Sequence, residues 1–219
     1  MKSWPRLDGA LADYADANWL RESPPKRRLR EETARLPQAG MQISAHQGQQ
    51  IGLLARAVGA RRAVEVGTFT GYSSLCIAEA LPLDGKLWCC DVSETWTAMA
   101  RRAWKEAGVA GRIELTIGPA LGTLDWLLAQ GLANQLDLAF IDANKEDYDA
   151  YYERCLRLVR PGGLVLIDNV LWGGAVANLA NMTADTQAIR ALNAKLKGDE
   201  RVDVALFATG DGMTCALKR

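Results

Sequence analysis

Five times between residues 62 and 168 the chain repeats one rhythm: a short apolar run, then a Gly or an Asp, then a stretch with helical spacing. The runs are 62–67, 86–91, 113–117, 136–142 and 164–168, and the helical stretches between and after them are 73–81, 94–107, 120–130, 148–158 and 183–196. Near-continuous apolar strands are buried on both faces, and strand–helix alternation builds a parallel sheet covered by helices on both sides. The end of the chain breaks the rhythm. Residues 202–208 and 213–217 flank Thr209-Gly210-Asp211-Gly212, which reads as an antiparallel hairpin. The pattern therefore predicts an α/β fold: a mostly parallel seven-stranded sheet with a C-terminal antiparallel hairpin and helices on both faces.

A chain of 219 residues suits one such domain. We expect a single unit, 1–219, in which 1–40 form a polar helical arm (stretches 9–21 and 25–35) and 41–219 the core, opened by a helix over 44–58. In the arm, Lys26-Arg27-Arg28 and Arg30 precede Glu31-Glu32, which reads either as a solvated face with local ion pairs or as a lid over the site. Lys plus Arg equals Asp plus Glu at 26 each, so no global field favours nucleic acid or an anionic membrane. No apolar run approaches the roughly 20 residues of a membrane helix. Met1 to Arg6 lead into no apolar signal core, and a cytoplasmic protein is expected.

Two scarcities bear on chemistry. The five Cys contain no C-x-x-C, and the neighbours Cys89 and Cys90 should face opposite sides of a strand; they read as buried small hydrophobes in a reducing compartment. The one His, His46, rules out multi-His metal sites and reads as a helix-surface residue. Any metal must then lean on oxygen, which points to magnesium or calcium.

In an open parallel sheet, ligands bind beyond the carboxyl ends of the strands. Three strands end there in acids, Asp91, Asp142 and Asp168, while Glu65 lies within the first strand. Asp91 could cap the helix that follows or accept hydrogen bonds from ribose hydroxyls. The first turn, Gly67-Thr68-Phe69-Thr70-Gly71, lets the backbone approach a ligand closely but lacks the G-x-G-x-x-G spacing of a diphosphate loop. The pocket suits an adenosine-type ligand without a diphosphate.

The segments Val64–Ser73, Gly118-Pro119-Ala120, Phe140–Tyr148 and Ile167–Trp172 together resemble the cation-dependent O-methyltransferases of the caffeoyl-CoA and catechol type, in register from about Lys26 to the end. The resemblance implies a Rossmann-like methyltransferase fold and an S-adenosylmethionine site built from Glu65, Gly67, Thr68, Ser73, Asp91 and Ala120, completed by Ile43, Asp142 and Asn144. It implies a divalent cation, usually magnesium, on Asp142, Asp168 and Asn169. Lys145 matches the family's general base, its pKa expected to fall beside a dication, with Asp142 the other catalytic residue; Lys145 and Trp172 would meet the substrate. Trp172 reads equally as a core aromatic. The resemblance further implies a homodimer, with the N-terminal helices and the Asp211 hairpin as candidate contacts.

Three positions depart from the plant members: Asn144 stands at their Asp, Ile43 at their Thr and Gly173 at their Asn. These leave the chemistry intact and favour a small catechol-like substrate over a caffeoyl-CoA-type phenylpropanoid. Two further alternatives stand beside this reading: a nicotinamide oxidoreductase on the same fold, opposed by the missing diphosphate loop, and a non-catalytic cofactor-binding relic, opposed by the joint presence of Asp142, Lys145, Asp168 and Asn169.

Overall fold

Seven strands form one sheet: β1 (Arg62–Val66), β2 (Lys86–Asp91), β3 (Ile113–Ile117), β4 (Leu136–Ile141), β5 (Val159–Ile167), β6 (Val202–Phe207) and β7 (Met213–Lys218). Their order is β3-β2-β1-β4-β5-β7-β6. β1 to β5 run parallel, β7 lies antiparallel to β5, and β6 antiparallel to β7. The molecule is described by a computed structural model covering residues 8–219; the first seven residues, where the reading of a missing signal core falls, lie outside the described residues. The expected mostly parallel sheet with its terminal hairpin is the observed one.

The period-2 pattern of the strands divides the core. Ala63, Leu87, Cys89, Leu138 and Phe140 point to one face, covered by α3 (Ala45–Ala57), α4 (Tyr72–Ala80) and α5 (Glu94–Glu106). Val64, Val66, Cys90, Ala139 and Ile141 point to the other, under α6 (Ala120–Ala129), α7 (Tyr148–Leu158) and α8 (Ala184–Gly198). Cys89 and Cys90 part as alternation requires. Strand order reverses between β1 and β4, so a crevice opens at their carboxyl ends.

Two expectations need correction. β5 begins at Val159, directly after α7, and not at Leu164: Leu136 pairs with Val159 and Leu138 with Leu164, so Arg160-Pro161-Gly162-Gly163 bulge out of the ladder. The basic cluster does not make local ion pairs with Glu31-Glu32. The arm's helices, α1 (Gly9–Trp19) and α2 (Pro24–Thr33), lie on the core; Lys26 and Arg28 pair outward, while Arg30 pairs with Glu22 within the arm. Lys26 reaches Glu79 at 2.9 Å, Arg30 grips Glu22 through two bonds of 2.8 and 2.7 Å, Arg28 meets Glu106, and Arg102 meets Glu32. Tyr72 Oη donates to Glu22 at 2.6 Å, and the Thr33 hydroxyl lies 2.9 Å from that of Thr70. His46 sits on the helix surface as expected, 2.7 Å from Asp16. These contacts fasten the arm to α3, α4 and α5. Among the described residues none before Gly40 lines the main cleft.

At the opposite rim, Asp137 ties the strand starts together. Its carboxylate accepts from the backbone N–H of Arg61 (2.8 Å) and Arg62 (2.9 Å) and from Arg160 Nε (2.7 Å), while Arg160 also donates to Val58 O. Burial works to raise the pKa of this carboxyl, but the two backbone donors and Arg160 outweigh it and hold it below the ordinary 3.8. A depressed folded-state pKa means the stabilisation is present above 3.8 and is lost as pH falls through the folded value. Asp137→Asn should therefore cost about 1–3 kcal/mol near neutral pH. Its unfolding curves should show a weaker loss of stability on acidification than the parent, measurable by denaturant titration at several pH values.

Candidate active site

The turn after β1 shapes the crevice. Gly67 has φ +91°, and a Cβ there would fall 1.9 Å from the carbonyl oxygen of Asp142, so only glycine lets the ends of β1 and β4 meet. Gly67 N donates to Cys90 O at 2.9 Å and Asp142 N to Val66 O at 2.8 Å, which holds the ends of three strands in register. Asp91 fixes the rest of the loop by accepting from Thr68 N (3.0 Å), Phe69 N (2.7 Å) and Ser93 N (2.8 Å). The cap of α5 is Ser93, whose hydroxyl accepts from Trp96 N at 3.3 Å, so capping is not the role of Asp91.

The result is a cleft of about 900 Å³ over the strand ends. Ile43, Gly67, Thr68, Ser73, Asp91 and Ala120 line one part of it; Asp142, Asn144, Lys145, Asp168, Asn169 and Trp172 line another. Glu65 is the exception among the residues singled out by sequence. It is fully buried on the α4 side of β1, near the Ser73 and Thr68 hydroxyls and the Cys89 thiol, and does not line the cleft. Neither carboxyl oxygen makes a well-formed hydrogen bond. Burial pushes its pKa up to about 8, with those three neighbours offsetting only part of the effect.

Beyond β4, a single 3-10 turn (Lys145–Asp147) leads into α7 and turns Lys145 inward, where it is 7% exposed. Its Nζ lies 2.6 Å from Asn169 Oδ1, 2.6 Å from Tyr148 Oη and 3.0 Å from Asp142 Oδ1. The Trp172 ring stands 5.5 Å away, so Trp172 belongs to the cleft wall and not to the core. Asp168, 2% exposed, accepts from Asn169 N at 2.7 Å. Asn169, Trp172 and Phe69 all have positive φ, at 58°, 48° and 50°. Such backbone is uncommon outside glycine and costs on the order of 1–3 kcal/mol, so the surrounding packing must impose it. For Trp172 that packing is visible: Val170 N and Leu171 N donate to Gly212 O and Asp211 O, and Gly173 N donates to Asp211 Oδ1 at 2.6 Å.

Electrostatics single out the same spot. Burial raises the pKa of Asp142, only partly opposed by Lys145. Burial, then the neighbouring Asp142, pushes Asp168 up to about 7 against the Asn169 N–H. Two close carboxyls of this kind resist ionising together unless a cation joins them. Among the described residues no three His, Cys, Asp or Glu side chains gather for a metal; the candidate donor set is two carboxyls and the Asn169 amide. One amine already reaches both Asp142 and Asn169, so a small hard cation fits the same oxygens.

Sequence reasoning missed Tyr148 and Gln47. Tyr148 follows Lys145 by three residues, a spacing that pairs side chains along a helical turn. Gln47 is 1% exposed and lines the cleft with its side chain beside the Asp168 carboxyl, where its Nε2 makes no well-formed hydrogen bond; nothing in the α3 pattern set it apart. Asn144 is committed to its own turn, with Nδ2 2.6 Å from Asp147 and Oδ1 accepting from Tyr151 Oη at 2.6 Å.

Comparison with known proteins places this geometry among relatives. A family model described as O-methyltransferase matches residues 17–219. Catechol O-methyltransferase domain-containing protein 1 of Mus musculus is 41% identical over 214 residues, covering 98% of this chain and 82% of that protein. Caffeoyl-CoA O-methyltransferase 2 of Zea mays is 40% identical over 202 residues, covering 89% of this chain and 76% of that protein. The crystal structure of the O-methyltransferase TomG from Streptomyces achromogenes, involved in tomaymycin synthesis and in complex with SAM, has a TM-score of 0.85 at 36% identity over 94% of each chain.

Glu65 yields a stability signature in the ligand-free protein. With a folded pKa near 8 against 4.5 unfolded, its favourable state is fully present below 4.5 and is lost as pH rises through 8. The loss should be on the order of a few kcal/mol. Glu65→Gln should shrink the fall in Tm between mildly acidic and mildly alkaline buffer, read by calorimetry. An unaltered fall would mean that Glu65 is not the titrating group.

Proposed function

The chain belongs to the O-methyltransferase family, and from that premise we propose that it methylates one hydroxyl of a small catechol-like substrate in a divalent-cation-dependent reaction. One observation carries the reading: the Lys145 amine, Asp142, Asp168 and Asn169 converge in a single cleft beside the glycine turn. S-adenosylmethionine supplies the methyl group, which passes to the substrate oxygen in a direct displacement. Gly67, Thr68, Ser73, Asp91 and Ala120 would hold it, with Ile43, Asp142 and Asn144 at the margins. The crevice at the strand reversal and the backbone bared at Gly67 support this assignment. Glu65, with its two unsatisfied oxygens, would act from beneath through Ser73 and Thr68.

Asp142, Asp168 and Asn169 would hold the cation, magnesium by their all-oxygen chemistry, and it would stabilise the charge on a substrate oxygen as its proton leaves. Lys145 receives that proton at Nζ. Tyr148 and Asn169 fix the amine at 2.6 Å each, so little reorientation is needed when the hydroxyl arrives. Trp172 walls the substrate ring, and its imposed backbone keeps the wall in place. The residues thus act mainly by positioning, which turns an encounter into an aligned approach.

In the same reading, 1–219 are one catalytic unit, with 1–40 an arm and 41–219 the core, working as a cytoplasmic homodimer. Five buried, unpaired cysteines accord with a reducing compartment. Among the described residues no helix is long and apolar enough to cross a membrane. Asp211 already has an intramolecular duty in holding the Trp172 loop.

Asp142→Ala should abolish methylation of a catechol panel while titration calorimetry still detects donor binding; turnover that survives both this change and EDTA would refute the cation assignment. Lys145→Ala should lower kcat by about 10²–10⁴-fold near neutral pH. That deficit should narrow at high pH, where hydroxide replaces the amine, and a deficit constant across pH would exclude the base role.

A further inference from the structure

Between Val170 and Thr186 the chain crosses the rim of the cleft with no residue buried. Of residues 171–184 only Trp172 lines the cleft. A segment without buried side chains has little packing to fix it, so its order must come from polar contacts. Its backbone is also awkward: Trp172, Gly173 and Gly174 hold positive φ in succession, at 48°, 56° and 84°.

Two side chains from remote elements supply that order. Asp211, in the β6–β7 turn, accepts from Gly173 N at 2.6 Å through its carboxylate, and its carbonyl accepts from Leu171 N at 3.0 Å. The next residue, Gly212, has φ +79°, and a Cβ there would fall 2.5 Å from Leu171, so the turn and the loop lie in direct contact. Arg190, half-buried on α8, takes the other end. Its guanidinium donates to the carbonyls of Ala175 (3.0 Å), Val176 (2.9 Å), Asn181 (2.8 Å) and Asn178. One planar fork thus gathers four carbonyls of an otherwise irregular stretch. Ahead of these clips the Trp172 ring stands 5.5 Å from Lys145 Nζ.

These contacts bear on the reaction through a symmetry of the substrate. Flipping a catechol ring exchanges its two hydroxyls and swings any ring substituent to the opposite side. Groups that touch only the two oxygens cannot tell the orientations apart, so a contact with the ring or its substituent must. A tenfold preference needs about 1.4 kcal/mol, within reach of one ring wall. Building on the catechol reading, we propose that Asp211 and Arg190 are positioning residues for Trp172, and that the wall they hold decides which of the two hydroxyls is methylated.

The test uses catechols carrying one neutral methyl or tert-butyl group para to one hydroxyl, incubated with S-adenosylmethionine and Mg²⁺, and reads the ratio of the two monomethyl ethers. The parent should favour one ether by about threefold or more, and Trp172→Ala should bring the ratio towards one. Asp211→Ala and Arg190→Ala should each shift the ratio in the same direction. Asp211→Asn keeps an acceptor for Gly173 N and should hold the parent ratio. A product ratio does not depend on how much enzyme is folded, so partial loss of protein leaves it readable. Hydrogen exchange in the ligand-free protein should quicken at 171–182 in both alanine clip variants and stay unchanged in β1. Equal yields from the parent, a ratio unmoved by Trp172→Ala or by either clip variant, unchanged exchange at 171–182, or a ratio lost as fully in Asp211→Asn as in Asp211→Ala overturns the proposal and leaves the catechol reading standing. Failure to methylate any catechol overturns that reading and the proposal with it.

Discussion

The contact between Gly67 and the main chain of Asp142 holds the two halves of the cleft together. Any side chain at Gly67 would strike the Asp142 carbonyl, so β1 and β4 close side by side at the strand reversal. The glycine turn, steadied by Asp91, then hangs on one side of that contact. The Asp142, Lys145 and Asn169 cluster hangs on the other. The glycine turn and the Lys145 amine become neighbours because two backbones touch, before any side-chain chemistry is considered.

Around that contact the protein arranges groups that are uncomfortable alone. Asp142 and Asp168 are buried near each other, Glu65 is buried without hydrogen bonds, and Phe69, Asn169 and Trp172 hold positive φ. Each costs free energy in the ligand-free state. Together they line or flank one cleft, the pattern expected when a site is organised for ligands more than for its own stability. The supports are conventional: an arm fastened by Glu22, Arg30 and Tyr72, a hairpin turn and Arg190 bracing the Trp172 loop, and a packed layer of helices on each face.

Much of this was legible in the residues. Apolar runs closed by Gly or Asp gave the strands, because a strand buried on both faces must be apolar throughout. The same runs located the acids at the rim. The local rhythm was misleading at Arg160-Pro161-Gly162-Gly163, where a turn-like composition turned out to be a bulge within a strand, held by Asp137 from a distant part of the chain. It was also misleading in the arm, where charges that look like helix-surface partners pair across to other helices.

The sequence by itself determined the layer order of the fold, the family, and a set of residues of which all but Glu65 line one cleft. Periodicity and spacing are local properties, and a linear pattern carries them. The tertiary structure decided what depends on distance between remote segments: that Glu65 lies behind the cleft wall, that one amine joins Asp142 to Asn169 and Tyr148, and that Gln47 is buried beside Asp168. Burial and pairing are set by which surfaces meet, and no segment holds that information until the sheet has closed.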